Sequence, residues 1–366
     1  MRLLAQLAER QIEKRFPAEA IITLQQLLGL DPWHEQANRQ LMHTYSLQGD
    51  YNRALAQYKT YRQLLDENIG VQPQPETTAL FERIQAAREG RPYNLPPPAG
   101  TFFGREDEEI RIRNTLLNPH NRLVTITGIG GIGKTHLALS CGRLLNDEPG
   151  LHFVDGISYV PLQGVEPGSS ASDAVATAIA GALAIFLPGR RPPSQEVLEY
   201  LQPEDHLLIL DNFEHLMAGT VWLSSILSSC PDVKLLVTSR EALNLTAEWR
   251  IALQGLPYPG KSRRAPSLSR RAETFPAVQL FVQSARQARP TFSLTPENRD
   301  HVVDLCRLVM GMPLAIKLAA SWLHVMPAEQ LATELRRNLD ILSTRMSDVP
   351  ERQRQIRAVF DQTWEL

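Results

Sequence analysis

The chain has 366 residues, 43% hydrophobic and 21% charged, with a formal net charge of −2. That length exceeds one ordinary core and points to two or three domains, while the near-neutral charge excludes a global basic field that would hold nucleic acid by counterion release. No apolar run reaches the roughly 18 residues that span a bilayer, and charges break up any signal-type core in the opening "MRLLAQLAERQIEKRF". Cys141, Cys230 and Cys306 lie far apart in no metal-ligand spacing, which fits a reducing compartment and a cytoplasmic location without membrane contact.

Residues 1–90 read as all-helical. "FPAEAIITLQQLLGLDP" and "DYNRALAQYKTYRQLLD" align with a shift of 34, placing Ala20 on Ala54, Ile21 on Leu55 and Leu24 on Tyr58. That period suggests tetratricopeptide-type helix pairs, with small residues at Ala20 and Ala54 where helices approach; a generic helical bundle is the alternative. Gly49-Asp50 punctuates one pair, Asp31-Pro32 is expected to start the next helix, and a further helix spans 76–89. Two repeats are few for a free-standing array, so the module is expected to lean on a neighbour and to offer a surface for a protein partner.

"GRPYNLPPPAG" reads as a proline-rich, semi-rigid linker over 91–100. From 101 to 258 strands alternate with helices. "NRLVTITG", "HFVDGISYVPL", "HLLILDN" and "KLLVTSR" are strand candidates, with helices expected at 134–146, 170–186 and 213–229. Continuous apolar strands between helices mean a parallel sheet covered on both faces, whose ligands sit at the carboxyl ends of the strands.

Between the first strand and the helix after it lies "GIGGIGKT", Gly128 to Thr135, which satisfies the phosphate-loop pattern G-x-x-x-x-G-K-[ST] in the setting that pattern requires. A polyphosphate needs a concave ring of N–H donors, which a loop able to take positive φ supplies; Gly130, Gly131 and Gly133 permit it. The helix beginning near Lys134 adds its positive dipole end. Lys134 is expected to reach the β- and γ-phosphates, and Thr135 to place its hydroxyl on Mg²⁺. His136 borders the same site, although a lone histidine there reads as a helix-surface residue rather than a ligand. Asp211, ending the strand "HLLILD", is the expected second metal holder. Arg240, ending "LLVTSR", is placed to sense the γ-phosphate, a surface arginine being the alternative.

"PGKSRRAPSLSRRAE" within 259–275 reads as a solvated basic loop. Residues 276–345 follow as a helical domain, with helices at 276–289, 296–310, 313–325 and 328–342. The chain stops at "AVFDQTWEL" with apolar residues still at helical spacing, and the expectation is a piece of a longer polypeptide.

Taken together, "TFFGRE", "GIGGIGKT", "LLILDN", "LLVTSRE" and "GMPLAIKLAA", in that order, resemble the NB-ARC/STAND class of signalling ATPases over 101–366. The first 90 residues resemble the bacterial transcriptional activator domain, a pairing similar to SARP-type transcription regulators. The resemblance implies a multidomain fold: an all-α repeat module, an α/β P-loop domain of the ASCE/STAND type with a parallel sheet, and an all-α lid. It implies that Phe103, Gly104 and Arg105 border the adenine, that Gly128 belongs to the nucleotide contacts, and that Pro313 packs against the base from the lid. Pro313 also reads as a helix-start proline. It further implies that 346–366 begins a winged-helix domain, and that DNA is bound only through a domain outside this chain.

One departure bears on mechanism. Many relatives carry a second acid after the strand aspartate, where this chain has Asn212, and an amide takes no proton from water. Glu214 is a substitute base or else a first-turn helix acid. The resulting expectation is a slow ATPase that binds ATP or ADP with Mg²⁺, works as a signalling switch and self-associates in the ATP state. A phosphotransferase or motor ATPase, and a repeat scaffold with a structural nucleotide, are the alternatives.

Overall fold

The computed structural model describes residues 1–14, 16–48, 50–68, 70–89, 94–98, 100, 102–147, 153–260 and 272–338. Five helices open the chain: α1 (Arg2–Glu13), α2 (Pro17–Leu30), α3 (Glu35–Leu47), α4 (Tyr51–Asn68) and α5 (Pro75–Glu89). Pro17 sits in the first turn of α2, where its fixed φ suits helix entry. Ala20 and Ala54 are both fully buried, as the repeat alignment expects. Leu24, Leu27, Leu41, Met42, Tyr58 and Ile84 belong to one core. Asp31-Pro32 does not start α3. Asp31 closes a local turn by accepting from the Trp33 N–H at 3.2 Å. The cap is His34, whose Nδ1 accepts from the Ala37 N–H at 3.1 Å.

The next unit contains α6 (Glu106–Leu117), β1 (Leu123–Thr127), α7 (Lys134–Asp147), β2 (Gly156–Pro161), α8 (Ala171–Ala182), α9 (Pro193–Leu201), β3 (His206–Asp211), α10 (Thr220–Ser229), β4 (Lys234–Ser239) and β5 (Glu248–Ala252). All four adjacent pairs are parallel and the order is β2-β3-β4-β1-β5. One strand therefore separates β1, which feeds the glycine-rich loop, from β3, which ends in Asp211, as expected for the ASCE type. Alternation divides the sheet between two cores. Val124, Ile126, Leu207, Ile209 and Leu236 face α6 and α7. Leu208, Leu210, Leu235 and Val237 face α8, α9 and α10.

Three expectations need correction here. The helix expected over 170–186 ends at Ala182, where Ala184 turns left-handed at φ 54°. The one expected over 213–229 is a 3₁₀ turn, Phe213–Gly219, kinked at Leu216 and followed by α10. The fifth strand, "EWRIA", was not expected; only Ile251 of its five residues is buried.

The final helices are α11 (Pro276–Ala288), α12 (Pro296–Leu308), α13 (Pro313–Ser321) and α14 (Ala328–Arg337), each opening with Pro or Ala in its first turn. Val278, Phe281, Leu305, Ile316 and Leu331 contribute to their core. The helix expected over 313–325 passes into a 3₁₀ turn at Trp322–His324. Most of the basic loop (261–271), residues 339–345 of the expected lid and the whole of 346–366 lie outside the described residues.

Arg83 of the helical module and the described part of the stretch after it both meet the sheet unit. Arg83 of α5 donates Nε–H to Asp155 Oδ1 at 2.6 Å and a terminal N–H to Oδ2. The described part of the proline-rich stretch, 94–98, is laid on the sheet unit. Asn94 bonds to Tyr159, Leu95 is nearly buried in the core that contains Ile209 and Leu137, and the Pro96 carbonyl accepts from Arg143.

Candidate functional site

β1 ends at Thr127 and α7 begins at Lys134, so six residues carry the backbone from the sheet to the helix. Positive φ angles occur at Gly128 (152°), Gly131 (73°) and Gly133 (102°). Gly130 is not among them, contrary to the expectation for that residue. At Gly131 two requirements meet: left-handed backbone, and a Cβ that would stand 2.8 Å from Leu314 Cβ. The first amides of α7 precede any intrahelical acceptor, and Leu137 is the first to find one, Gly133 O at 3.0 Å. The loop thus presents helix-end N–H donors at the carboxyl edge of the sheet.

Lys134 lies across this loop, its Nζ donating to Gly128 O at 2.6 Å and Ile129 O at 3.1 Å. Burial pushes its pKa down to about 8; the Glu214 and Asp211 carboxylates oppose that shift and Arg240 adds to it. Thr135 Oγ1 donates to Asp211 Oδ1 at 2.7 Å. Thr238 Oγ1 donates to the same oxygen at 2.6 Å, and Tyr159 donates its hydroxyl to Oδ2 at 3.0 Å. Asp211 is 7% exposed.

Parity explains the convergence. Leu207 and Ile209 of β3 face α7, so Asp211, two residues further on, does too. Ile157 and Leu236 share that face, which brings Tyr159 and Thr238 with them. Neither Tyr159 nor Thr238 was anticipated from sequence. Thr238 stood in the quoted "LLVTSR" two places before Arg240; Tyr159 carries no local signal, because strand register is needed to aim it.

Asn212 is left-handed (φ 69°, ψ 54°) and its N–H donates to Thr238 Oγ1 at 2.9 Å. Arg240 Nε–H donates to Glu214 Oε1 at 3.1 Å. The second oxygen of Glu214 is buried with no hydrogen-bond partner among the described residues.

These groups line a cavity of about 250 Å³ that includes Gly130, Gly131, Gly133, Lys134, Thr135, His136, Asn212, Glu214, Arg240 and, from α13, Pro313, Leu314 and Lys317. The Leu314 N–H donates to Gly131 O at 3.2 Å. A small apolar crevice adjoins it, sharing Gly133, His136, Pro313 and Lys317 and adding Phe102, Phe103, Arg105, Leu256 and Leu280. His136 is not on open surface: it is half-buried, its ring tilted against Phe102 at 4.9 Å, and burial followed by Lys317 and Arg143 lowers its pKa. Gly104 lines neither cavity; its position is pressed onto Pro276, where a Cβ would stand 2.2 Å from Cγ. Arg105 is buried and serves as a brace, bonded to Glu108 at 2.7 Å, to Gln254 O at 2.5 Å and to Ile132 O at 3.4 Å.

The donor set fits a magnesium nucleotide. It joins helix-end amides and an ammonium for phosphate to one hydroxyl and one carboxylate for a hard cation, and the partnerless Glu214 oxygen leaves an acceptor for a polar group. Among the described residues no cluster of three or more His, Cys, Asp or Glu side chains could hold a metal without phosphate oxygens. No helix of the described residues is long and apolar enough to cross a membrane.

Residues 1–85 match the bacterial transcriptional activator domain. A putative HTH-type transcriptional regulator of Mycobacterium tuberculosis is 31% identical over 246 residues, 66% of this chain and 25% of that protein. An uncharacterised protein of the same organism is 33% identical over 236 residues, covering 63% of this chain and 53% of its own length. The regulatory protein AfsR of Streptomyces griseus is 28% identical over 353 residues, 89% of this chain and 33% of AfsR. The chain spans a quarter to about half of the length of these curated relatives. A solved structure, a signal transduction ATPase with numerous domains and a tetratricopeptide repeat sensor from Pyrococcus horikoshii, aligns with TM-score 0.40 and 17% identity over 67% of this chain and 34% of that one.

Proposed function

We propose that the chain is the nucleotide-binding switch of a transcription regulator, taking ATP or ADP with Mg²⁺ in the cavity between the sheet and α13. The observation that carries this reading is the 2.7 Å bond between Thr135 Oγ1 and Asp211 Oδ1 beside the glycine-rich loop. It puts a hydroxyl and a carboxylate side by side where the helix-end amides and Lys134 converge.

In this reading the loop amides and Lys134 bind the phosphate chain, Thr135 and Asp211 hold the cation, and the crevice between Phe102, Phe103 and Pro313 takes the base. When bound, Mg²⁺ neutralises charge between the β- and γ-phosphates. Arg240 is the γ-phosphate sensor, and Glu214 is its counter-charge. That pairing, together with Asn212, leaves proton removal from water poorly served, so turnover is slow and nucleotide identity sets conformation. The α11–α14 unit is the lid, because Pro313 and Leu314 of α13 reach the phosphate loop itself. ADP favours a closed lid; ATP favours an open, self-associating form. A ligand shifts such a balance only through contacts that differ between the two states, and Arg240, Pro313 and Leu314 are placed to supply them. The helical repeats engage a protein partner, and DNA is contacted by a domain outside this chain.

Lys134→Ala, titrated with fluorescent ATP and ADP, tests the reading. Affinity for both falls roughly 100-fold, about 2.7 kcal/mol. Undiminished binding overturns it.

A further inference from the structure

Among the described residues three side chains donate to the Asp211 carboxylate, with different duties. Thr135 belongs to the loop helix. Thr238 is engaged twice, since its hydroxyl oxygen also accepts the Asn212 N–H. Tyr159 alone addresses Oδ2, at 3.0 Å, and comes from β2, the outermost strand on that side of the sheet.

The backbone of Tyr159 is held from outside the sheet. Among the described residues β2 pairs only with β3, and no strand lies along its other rim. There Asn94 supplies what a neighbouring strand would: Oδ1 accepts the Tyr159 N–H at 2.6 Å, and Nδ2 donates to Tyr159 O at 3.0 Å and to Ala182 O at 3.2 Å. A single amide side chain satisfies both main-chain groups of one residue, like a hydrogen-bonded pair in a ladder. Leu95 and Pro96 fix the same segment through the core and through Arg143.

We propose that Tyr159 is a positioning residue for the metal-holding carboxylate and that Asn94 positions Tyr159, so the segment following the helical module has a hydrogen-bonded hold on the cation site. The inference rests on the magnesium-nucleotide reading given above. Partners one shell out from a metal ligand fix its orientation, and their loss typically weakens metal affinity about 10- to 100-fold. Changing how 94–96 sits would therefore alter magnesium dependence without touching the phosphate loop.

The test uses the full chain and fluorescent ADP, titrated with Mg²⁺ and separately in EDTA. Tyr159→Phe keeps the ring and removes the donor. The Mg²⁺ concentration for half-maximal enhancement of binding rises about 10-fold, while affinity in EDTA stays within about twofold of the parent. Asn94→Ala shifts the same midpoint about threefold, and the double variant shifts no further than Tyr159→Phe alone. A Tyr159→Phe curve superimposed on the parent, an equal loss with and without Mg²⁺, or parent binding indifferent to Mg²⁺ overturns the role of Tyr159. Additive shifts, or none for Asn94→Ala, overturn the route from the connecting segment. Unchanged binding by Lys134→Ala would instead remove the underlying site reading, so the failures are distinguishable.

Discussion

The sheet unit is gripped at opposite ends by two helical units, in two chemical styles. At the amino ends of β2 and β3 the N-terminal helical unit is fastened by charge: Arg83 chelates Asp155, whose Oδ2 also accepts the Asp205 N–H at 2.8 Å. At the carboxyl ends the C-terminal helices are fastened by main chain. The segment leaving β5 is tied to β1 through Leu253 N–H to Thr127 O (2.8 Å) and to the helices through Leu256 N–H to Gly311 O (2.8 Å). A charged contact responds to pH and to loss of a partner; a backbone contact responds to shape. The same protein therefore has one junction sensitive to solution conditions and one sensitive to added atoms.

Three substitutions sharpen that contrast, from the largest effect to the smallest. Gly311 has φ 67°, and a Cβ there would stand 2.1 Å from Leu256 O. Gly311→Ala costs about 3 kcal/mol or more, combining left-handed strain with a forced backbone shift. Thermal unfolding and hydrogen exchange of α12 and α13 report it, and an unchanged midpoint would mean that the close approach does not fasten the helices. Asp155→Asn removes the carboxylate hydrogen-bonded to the half-buried Arg83 and leaves it only the more weakly acting Glu204 and Asp205, at about 2 kcal/mol, below the cost for a fully buried pair. Denaturant unfolding measures it; a loss under about 0.5 kcal/mol would place the pair with ordinary surface bridges.

The third concerns Glu204, whose pKa is raised to about 7 by burial first, then by the Asp155 charge, with Arg83 opposing. A carboxyl whose folded pKa is raised contributes stability that is whole below about 4.5 and lost as pH climbs through about 7. Glu204→Gln abolishes that slope, leaving the variant about 1 kcal/mol more stable than the parent at pH 8 after solvent screening is allowed for. A parent–variant difference equal at pH 5 and pH 8 would refute it.

How much of this was legible in the sequence follows from the range of each interaction. The apolar runs ending in Asp211 and Arg240, and the glycine-rich turn before Lys134, are local signals, and the sheet was readable from them. Ala20 and Ala54 were readable as buried contact points because the apolar pattern around them recurs. Tyr159, Thr238 and Asn94 were not readable as site residues, because each acts through strand register or through contact across tens of residues. β5 was hidden because an edge strand with one buried residue lacks the apolar run that marks the inner strands. Positive φ falls at Gly128 rather than Gly130, since composition marks a loop as permissive without saying which residue turns.

Asn94 has one more consequence. An outermost strand with bare amides and carbonyls invites stray pairing with another chain. By occupying both groups of Tyr159, this side chain shuts the rim of β2 at its middle. Assembly of several copies into a ring or filament would then proceed through side-chain surfaces, with no continuous sheet running from one molecule to the next along that border.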